Sequence, residues 1–288
     1  MIDAQTVKAA QEWCATGVSW IDKNAVNLGL GYLDKAIPVF QEAGDLRWST
    51  YARHNRLEGL RRRGQHEQVE AQWDEVMHGY AQLGDTYGQA LLLLHVADAI
   101  AALGRPERAA AYLNLAEEVA RAGGHQDLLC HVVTRAAHLF EALGNAALAV
   151  RLFQQAEHEA DRADEAVDIE GLRFGRALAL IQLGENGEAQ GLLEDVQARY
   201  RRQERYREAV AALDPLARIY EQEGLWDDRN RIKQLTQLCG QHIVHEQAHR
   251  LEDMRREPRL PAPGAGSLPE GSGGPQRTWV PEGGGPTG

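Results

Sequence analysis

Aromatic residues make up only 6% of this 288-residue chain, and neither long apolar runs nor period-two stretches of Val, Ile and Thr occur in it. Such stretches mark strands, so a sheet is not expected. No apolar run approaches the ~18–20 residues that span a bilayer, so membrane insertion is not expected either. The start, Met1-Ile2-Asp3-Ala4-Gln5, lacks a basic region followed by an apolar core, so no signal peptide is visible and the cytoplasm is the expected compartment. Lysine is nearly missing, at positions 8, 23, 35 and 233 only, and arginine carries almost all the positive charge. That bias points to a GC-rich genome and places flat, bidentate donors on the surface.

Cysteine is scarce as well. Cys14, Cys130 and Cys239 are too far apart for a zinc ribbon or a CxxC pair, and Cys14 and Cys130 lie in apolar contexts that suit buried thiols. The formal net charge of -11 disfavours nucleic acid, whose phosphates repel an acidic surface. No G-x-S-x-G, phosphate-binding loop or G-x-G-x-x-G is present, and Gly29-Leu30-Gly31 reads as a helix-to-helix turn. No cofactor is implied.

What the chain does hold is Ala, Leu, Gln, Glu and Arg, all good helix formers, arranged in a repeat. Gly64, Gly104, Gly144, Gly184 and Gly224 are each 40 residues apart. A second column, Gly44, Gly84 and Gly124, falls midway, and Asp164 and Glu204 continue it without the glycine. Each glycine follows one amphipathic run and precedes another, as a left-handed helix stop does. The spacing predicts helices of roughly 15–18 residues with tight turns. Asp45 and Asp85 are placed to cap the next helix. After the first-column glycines a pattern recurs: Val69, Trp73, Val76; Ala109, Leu113, Ala116; Ala149, Phe153, Ala156; Ala189, Leu193, Val196. Spacings of four and three put each set on one helix face, small residues letting a neighbour approach and the large one filling the space beside them.

Paired helices, a glycine at the internal turn and small-large-small on the second helix resemble the tetratricopeptide repeat. The period resembles the extended-helix variants of kinesin light chains and bacterial regulators, and the resemblance covers about residues 17–240. It implies an all-α fold, a right-handed α-solenoid of antiparallel helix pairs, with residues 1–240 as the repeat domain. An early unit is read at Gly31, with Ala36, Phe40 and Ala43, and the last unit is degenerate at Arg229 and Lys233. Residues 241–257 read as a capping helix, and 258–288, rich in Pro, Gly and Ser, as a disordered tail.

The resemblance implies that the first helix of each pair lines a concave groove. That register places Tyr51, His54, Asn55 and Glu58 there, then His95 and Asp98, then His131, Thr134, Arg135 and His138, then Phe174 and Leu178. The expected function is a scaffold or adaptor that binds a peptide or helix of another protein in this groove; a peptide-responsive regulatory sensor is the alternative. Within the tail, Arg277, Trp279 and Val280 form a candidate docking peptide. Trp13 and Trp20 are candidates for an N-terminal cap or a homodimer contact. His245-Glu246-Gln247-Ala248-His249 matches H-E-x-x-H, which would place two imidazoles one turn apart for zinc, with Glu246 to activate water, and makes a zinc hydrolase the minor alternative. The match lacks a third ligand, since Glu252 and Arg255 occupy the downstream Gly and His positions, so no enzyme activity is expected. His242 lies on the same helix.

Overall fold

A computed structural model describes residues 2–162 and 167–256, the last seven (250–256) by backbone alone. The tail with Arg277, Trp279 and Val280, and Asp164 of the second glycine column, lie outside the described residues.

Twelve helices and no strand are present among the described residues. They are α1 (Ala4–Asp22), α2 (Val26–Ala43), α3 (Leu46–Arg62), α4 (His66–Leu83), α5 (Thr86–Ala102), α6 (Pro106–Gly123), α7 (Gln126–Ala142), α8 (Ala146–Ala160), α9 (Ile169–Leu183), α10 (Asn186–Arg202), α11 (Tyr206–Gln222) and α12 (Trp226–Arg256). The chain divides into two compact units, α1–α4 and α5–α12. Each is built as an α-solenoid: consecutive helices pack antiparallel in pairs, and the pairs stack side by side in the right-handed sense. The first helices of neighbouring pairs touch, α1 with α3 in one unit, and α5 with α7 and α7 with α9 in the other.

The turns follow from the glycine columns. All eight glycines of the two columns have positive φ. At Gly104 (φ 72°) its N–H donates to the Ala101 carbonyl at 2.9 Å, and the Arg105 N–H to the Ile100 carbonyl at 3.2 Å, which satisfies the last carbonyls of α5. Two other residues take the same conformation: Glu204 (φ 59°) continues the second column, and Asn24 (φ 63°) lies 40 residues before Gly64. The first unit of the repeat therefore turns at Asn24. Gly29 and Gly31, expected in a turn, sit inside α2. The small-large-small set of that unit is Gly29, Leu33 and Ala36, all buried, and the 40-residue spacing holds from the first turn to the last. Asparagine tolerates the left-handed region by bonding locally, which hides such a turn from a search for glycine. Glu204 has no such compensation. Glu204→Gly is expected to stabilise the second unit by about 0.5–1 kcal/mol, the left-handed cost of an L side chain less the extra unfolded-state freedom of glycine. Urea unfolding followed by circular dichroism reads the shift.

Side-chain caps close several of the helix starts. Asp45 accepts from the Trp48 N–H at 3.0 Å, as the sequence predicts; Asp3, Asn145 and Asp168 do the same for α1, α8 and α9. Pro106 opens α6, where its missing N–H costs nothing. The recurring sets form the core: Ala109, Ala116, Ala149, Phe153, Ala156, Ala189, Leu193 and Val196 are fully inaccessible and Leu113 nearly so, while in the set on α4 Val69 and Val76 are buried and Trp73 only half-buried. Residues 241–256 are not a separate capping helix. They prolong α12, whose Ile232 and Cys239 are buried and whose Gly240 stays helical. Arg229 and Lys233 lie at the surface of this last helix.

One ion pair ties three helices of the second unit. Arg205 donates to both oxygens of Asp168, at 2.9 and 2.8 Å, while its guanidinium covers the Tyr200 ring at 4.5 Å and Asp168 caps α9. The Arg205 hydrogen bond holds the Asp168 carboxyl below its ordinary 3.8. A depressed folded-state value contributes stability that is present above the unfolded value and lost as pH falls through the folded one. The second unit is therefore expected to lose this contribution below about pH 4, and Asp168→Asn to remove that part of the acid dependence. With Asp168 nearly half exposed, the effect belongs with exposed pairs at ~1 kcal/mol or less. Thermal midpoints from pH 6 to pH 2 check it.

Candidate functional site

The groove residues expected on α3 divide sharply. Tyr51, His54 and Glu58 are buried in the first unit. His54 Nδ1 meets the Tyr80 hydroxyl of α4 at 2.6 Å, with the two rings edge to face. Glu58 is held by Arg61 (2.7 and 2.8 Å) and Arg62 (2.6 Å), and Arg62 reaches on to the Ile21 carbonyl at 3.1 Å, joining α3 to α1. Asn55 donates to the Tyr51 carbonyl at 2.9 Å. These polar groups are spent on internal bonds, which is how a buried polar side chain avoids its desolvation cost. Burial pushes the Tyr51 and Tyr80 hydroxyls above their ordinary value, so both stay protonated.

The second unit brings the other predicted residues together. On α5, Leu92, Leu93, Leu94, Val96, Ala97, Ala99 and Ile100 are all buried, so its polar surface in this stretch is His95 and Asp98. Asp98 accepts from Arg135 of α7, Nε at 2.9 Å and Nη2 closer still. The next turns of α7 expose His131 and His138 to either side of Arg135. Thr134 turns inward, its hydroxyl donating to the Cys130 carbonyl at 2.8 Å. The edge-to-face contact of His138 with Phe153 of α8 has ring centroids 4.9 Å apart. Phe174 is half-buried on α9 against the core formed by α9–α12, and Leu178 is half-buried too.

Between α5 and α7 lies a cavity of about 180 Å³. Ala97, Asp98 and Ala101 of α5, Leu113 of α6, and Arg135, His138 and Leu139 of α7 line it. The walls are apolar, with one carboxylate–guanidinium pair and one imidazole at the polar side. Ala97 and Ala101 project too little to fill the space between the helices, which leaves a slot. A second cavity, of about 250 Å³, lies among α2, α3 and α4. Its polar groups bond to one another: Arg53 to Glu75, and Arg56 to Asp34 at 2.6 Å and Gln72 at 2.8 Å. No sequence signal singled out this second cavity.

The metal candidates separate. His242 stacks flat on Tyr206, centroids 4.4 Å apart, while the His245 and His249 rings meet edge to face at 4.5 Å. Among the described residues no group of three His, Cys, Asp or Glu is placed to hold a metal ion. All three cysteines are free thiols and buried; burial pushes Cys14 up to about 12 and raises Cys130 and Cys239 as well, the opposite of an activated nucleophile. Trp13 packs on the first unit's core, whereas Trp20 is partly exposed with the Lys23 ammonium 5.7 Å over its ring. No described helix is long and apolar enough to cross a membrane.

No protein-family model matches the chain, and no curated protein matches it. Solved structures do. A signal transduction ATPase with numerous domains and a tetratricopeptide repeat sensor, from Pyrococcus horikoshii, matches with a TM-score of 0.68 at 15% identity, over 89% of this chain and 38% of that one. This chain thus spans well under half of that protein's length. Aspartyl phosphate phosphatase F from Bacillus subtilis matches with a TM-score of 0.61 at 12% identity, over 84% and 61% of the two chains. A Rap protein complexed with competence and sporulation factor matches with a TM-score of 0.56 at 15% identity, over 84% and 67%. At these identities the likeness is one of fold: an all-α helical-repeat solenoid of the tetratricopeptide kind.

Proposed function

We propose that this chain is an extended tetratricopeptide-type regulatory sensor of a bacterial cytoplasm: it binds a peptide segment of another protein on the face formed by α5 and α7 and thereby controls a partner. The observation that carries this reading is the α5–α7 slot, where an apolar cavity of side-chain size adjoins the half-exposed Arg135 and the exposed His131 and His138. A few convergent polar groups over an apolar pocket are what a specific ligand site requires. The sensor reading gains support from the named solved structures, one with a repeat sensor and one in complex with competence and sporulation factor. The sequence puts a scaffold or adaptor first; a slot bounded by two helices that the Asp98–Arg135 pair links, so that a ligand seated in it bears on both, favours regulation over scaffolding. Tyr51, His54 and Glu58 drop out of the binding surface because they are buried and internally bonded. Asn55, on α3 of the first unit and bonded to the Tyr51 carbonyl, drops out with them, and His95, Asp98, His131, Thr134, Arg135, His138 and Phe174 of the second unit remain as its candidates or their supports.

The test is affinity capture from native lysate with three baits: the full chain, the chain cut after Glu257, and the full chain carrying Arg135→Glu. A stoichiometric partner retained by the first two and lost with Arg135→Glu is the expected result. Loss on tail removal alone moves the site to the Trp279 peptide, and a partner indifferent to both changes sinks the reading.

A further inference from the structure

The slot between α5 and α7 is asymmetric in charge. Asp98 is largely covered (16% exposed) and Arg135 is half exposed (50%). Nε and Nη2 of Arg135 donate to the same oxygen of Asp98, which leaves three of the guanidinium's five N–H donors unspent. His131, one turn before it, is exposed and has no hydrogen bond or ion pair among the described residues. His138, one turn after it, is exposed too, its Nδ1 3.4 Å from Glu141. Spacings of four and three set the three side chains along one face of α7, beside an apolar floor of Ala97, Ala101, Leu113 and Leu139.

We propose that this slot takes an acidic peptide segment: one aliphatic side chain fills the cavity, and a carboxylate next to it in the peptide accepts from Arg135 and His131. The proposal rests on the peptide-binding reading above and names its ligand class. Charge decides between the occupants. A basic peptide would have to reach the covered Asp98 and displace Arg135 from it, leaving a guanidinium without its partner. An acidic peptide adds acceptors to donors that are still free and leaves the Asp98 pair in place. The chain's net charge of -11 opposes an acidic ligand, but only weakly: at physiological salt the screening length is ~8 Å, so distant carboxylates contribute little while a contact with Arg135 is scarcely screened. A bidentate carboxylate–arginine contact is also the stronger kind of hydrogen bond.

A random heptapeptide library displayed on phage, selected on the immobilised full-length protein, tests this. Recovered peptides are then made with a fluorescein label and titrated by anisotropy against the full chain and its variants. Peptides pairing Asp or Glu with a neighbouring Leu, Ile or Val are expected. Their affinity should fall by about 10-fold or more with Arg135→Gln, the scale for losing one member of a charged contact. It should fall again with Ala101→Phe, which fills the slot, while Arg135→Lys retains part of it; circular dichroism confirms that each variant is folded. Peptides rich in Lys or Arg that still depend on the slot would overturn the acidic assignment and leave the peptide reading standing. Binding indifferent to both Arg135→Gln and Ala101→Phe would overturn the site. Recovery of no peptide would overturn this inference and the proposed function together.

Discussion

Gly29→Ala is expected to destabilise the first unit by about 2–3 kcal/mol, the scale of overpacking a tight contact. A Cβ at Gly29 would lie 2.6 Å from the Gly17 carbonyl oxygen and 2.5 Å from Ile21 Cγ1. The first of these is backbone, so α1 and α2 would have to separate, and Leu33, fully buried beside them, would lose its packing with them. Gly31, two residues on, is the internal control. A Cβ there meets nothing within 4 Å, so Gly31→Ala is expected to be neutral or to stabilise α2 by up to ~1 kcal/mol through helix propensity alone. Four of the six tryptophans, at 13, 20, 48 and 73, lie in α1–α4, so fluorescence-detected urea unfolding reports mainly on this unit. Equal midpoints for the two alanine variants would show that the α1–α2 approach is looser than described.

Phe153→Ala should cost about 3–5 kcal/mol in the second unit, the range for emptying a fully buried aromatic site. Phe153 is wholly inaccessible and rests on the backbone of α9 at Gly175, where a Cβ would lie 2.4 Å from its ring. Its edge contact with His138 links this core position to the slot, so Phe153→Ala should also weaken peptide binding without touching the ligand. Gly175→Ala provides the cross-check. With Phe153 present the added methyl clashes; with alanine at 153 it fills part of the hole. The double variant is therefore expected to be more stable than the sum of the two single changes predicts, by about 1 kcal/mol or more. Strict additivity, measured by denaturant unfolding, would mean the two positions are not in contact.

Much of the fold could be read before any coordinates. The glycine columns mark turns because left-handed backbone is costly for most other residue types, and a small-large-small set at helical spacing identifies a packed face from the sequence alone. The first turn escaped because Asn24 can bond locally and so tolerates what glycine usually supplies, and Gly31 drew attention to a place where the helix simply continues. Gly29 is glycine for another reason, the approach of two backbones, and the two uses look the same in a sequence. The unbroken α12 has a similar origin: nothing between Gly240 and His245 terminates a helix, and His242 still packs on Tyr206 at the start of α11.

The site was less legible than the fold. Helical register put Tyr51, His54 and Glu58 on the same footing as His131, Arg135 and His138. What separates them is burial together with internal pairing. Tyr80, 26 residues beyond His54, takes the imidazole inside, and the two arginines after Glu58 neutralise it where it is buried. Around Arg135 the neighbouring helix supplies a single carboxylate and small alanines, which leaves both donors and space. Pairing distances and cavities belong to the packing of α5 on α6 and α7, and periodicity carries no record of them. His242, the further imidazole beside the H-E-x-x-H pair, is likewise stacked on a distant residue, Tyr206, which is 36 residues earlier.

The most direct test of the account is hydrogen–deuterium exchange of the full-length protein with and without a selected acidic peptide at a concentration near its Kd. The account predicts slowed exchange in two segments of the second unit, around residues 95–102 of α5 and 131–142 of α7, and much weaker protection in Arg135→Gln at the same peptide concentration. Protection confined to other helices, or equal protection in the variant, would contradict it.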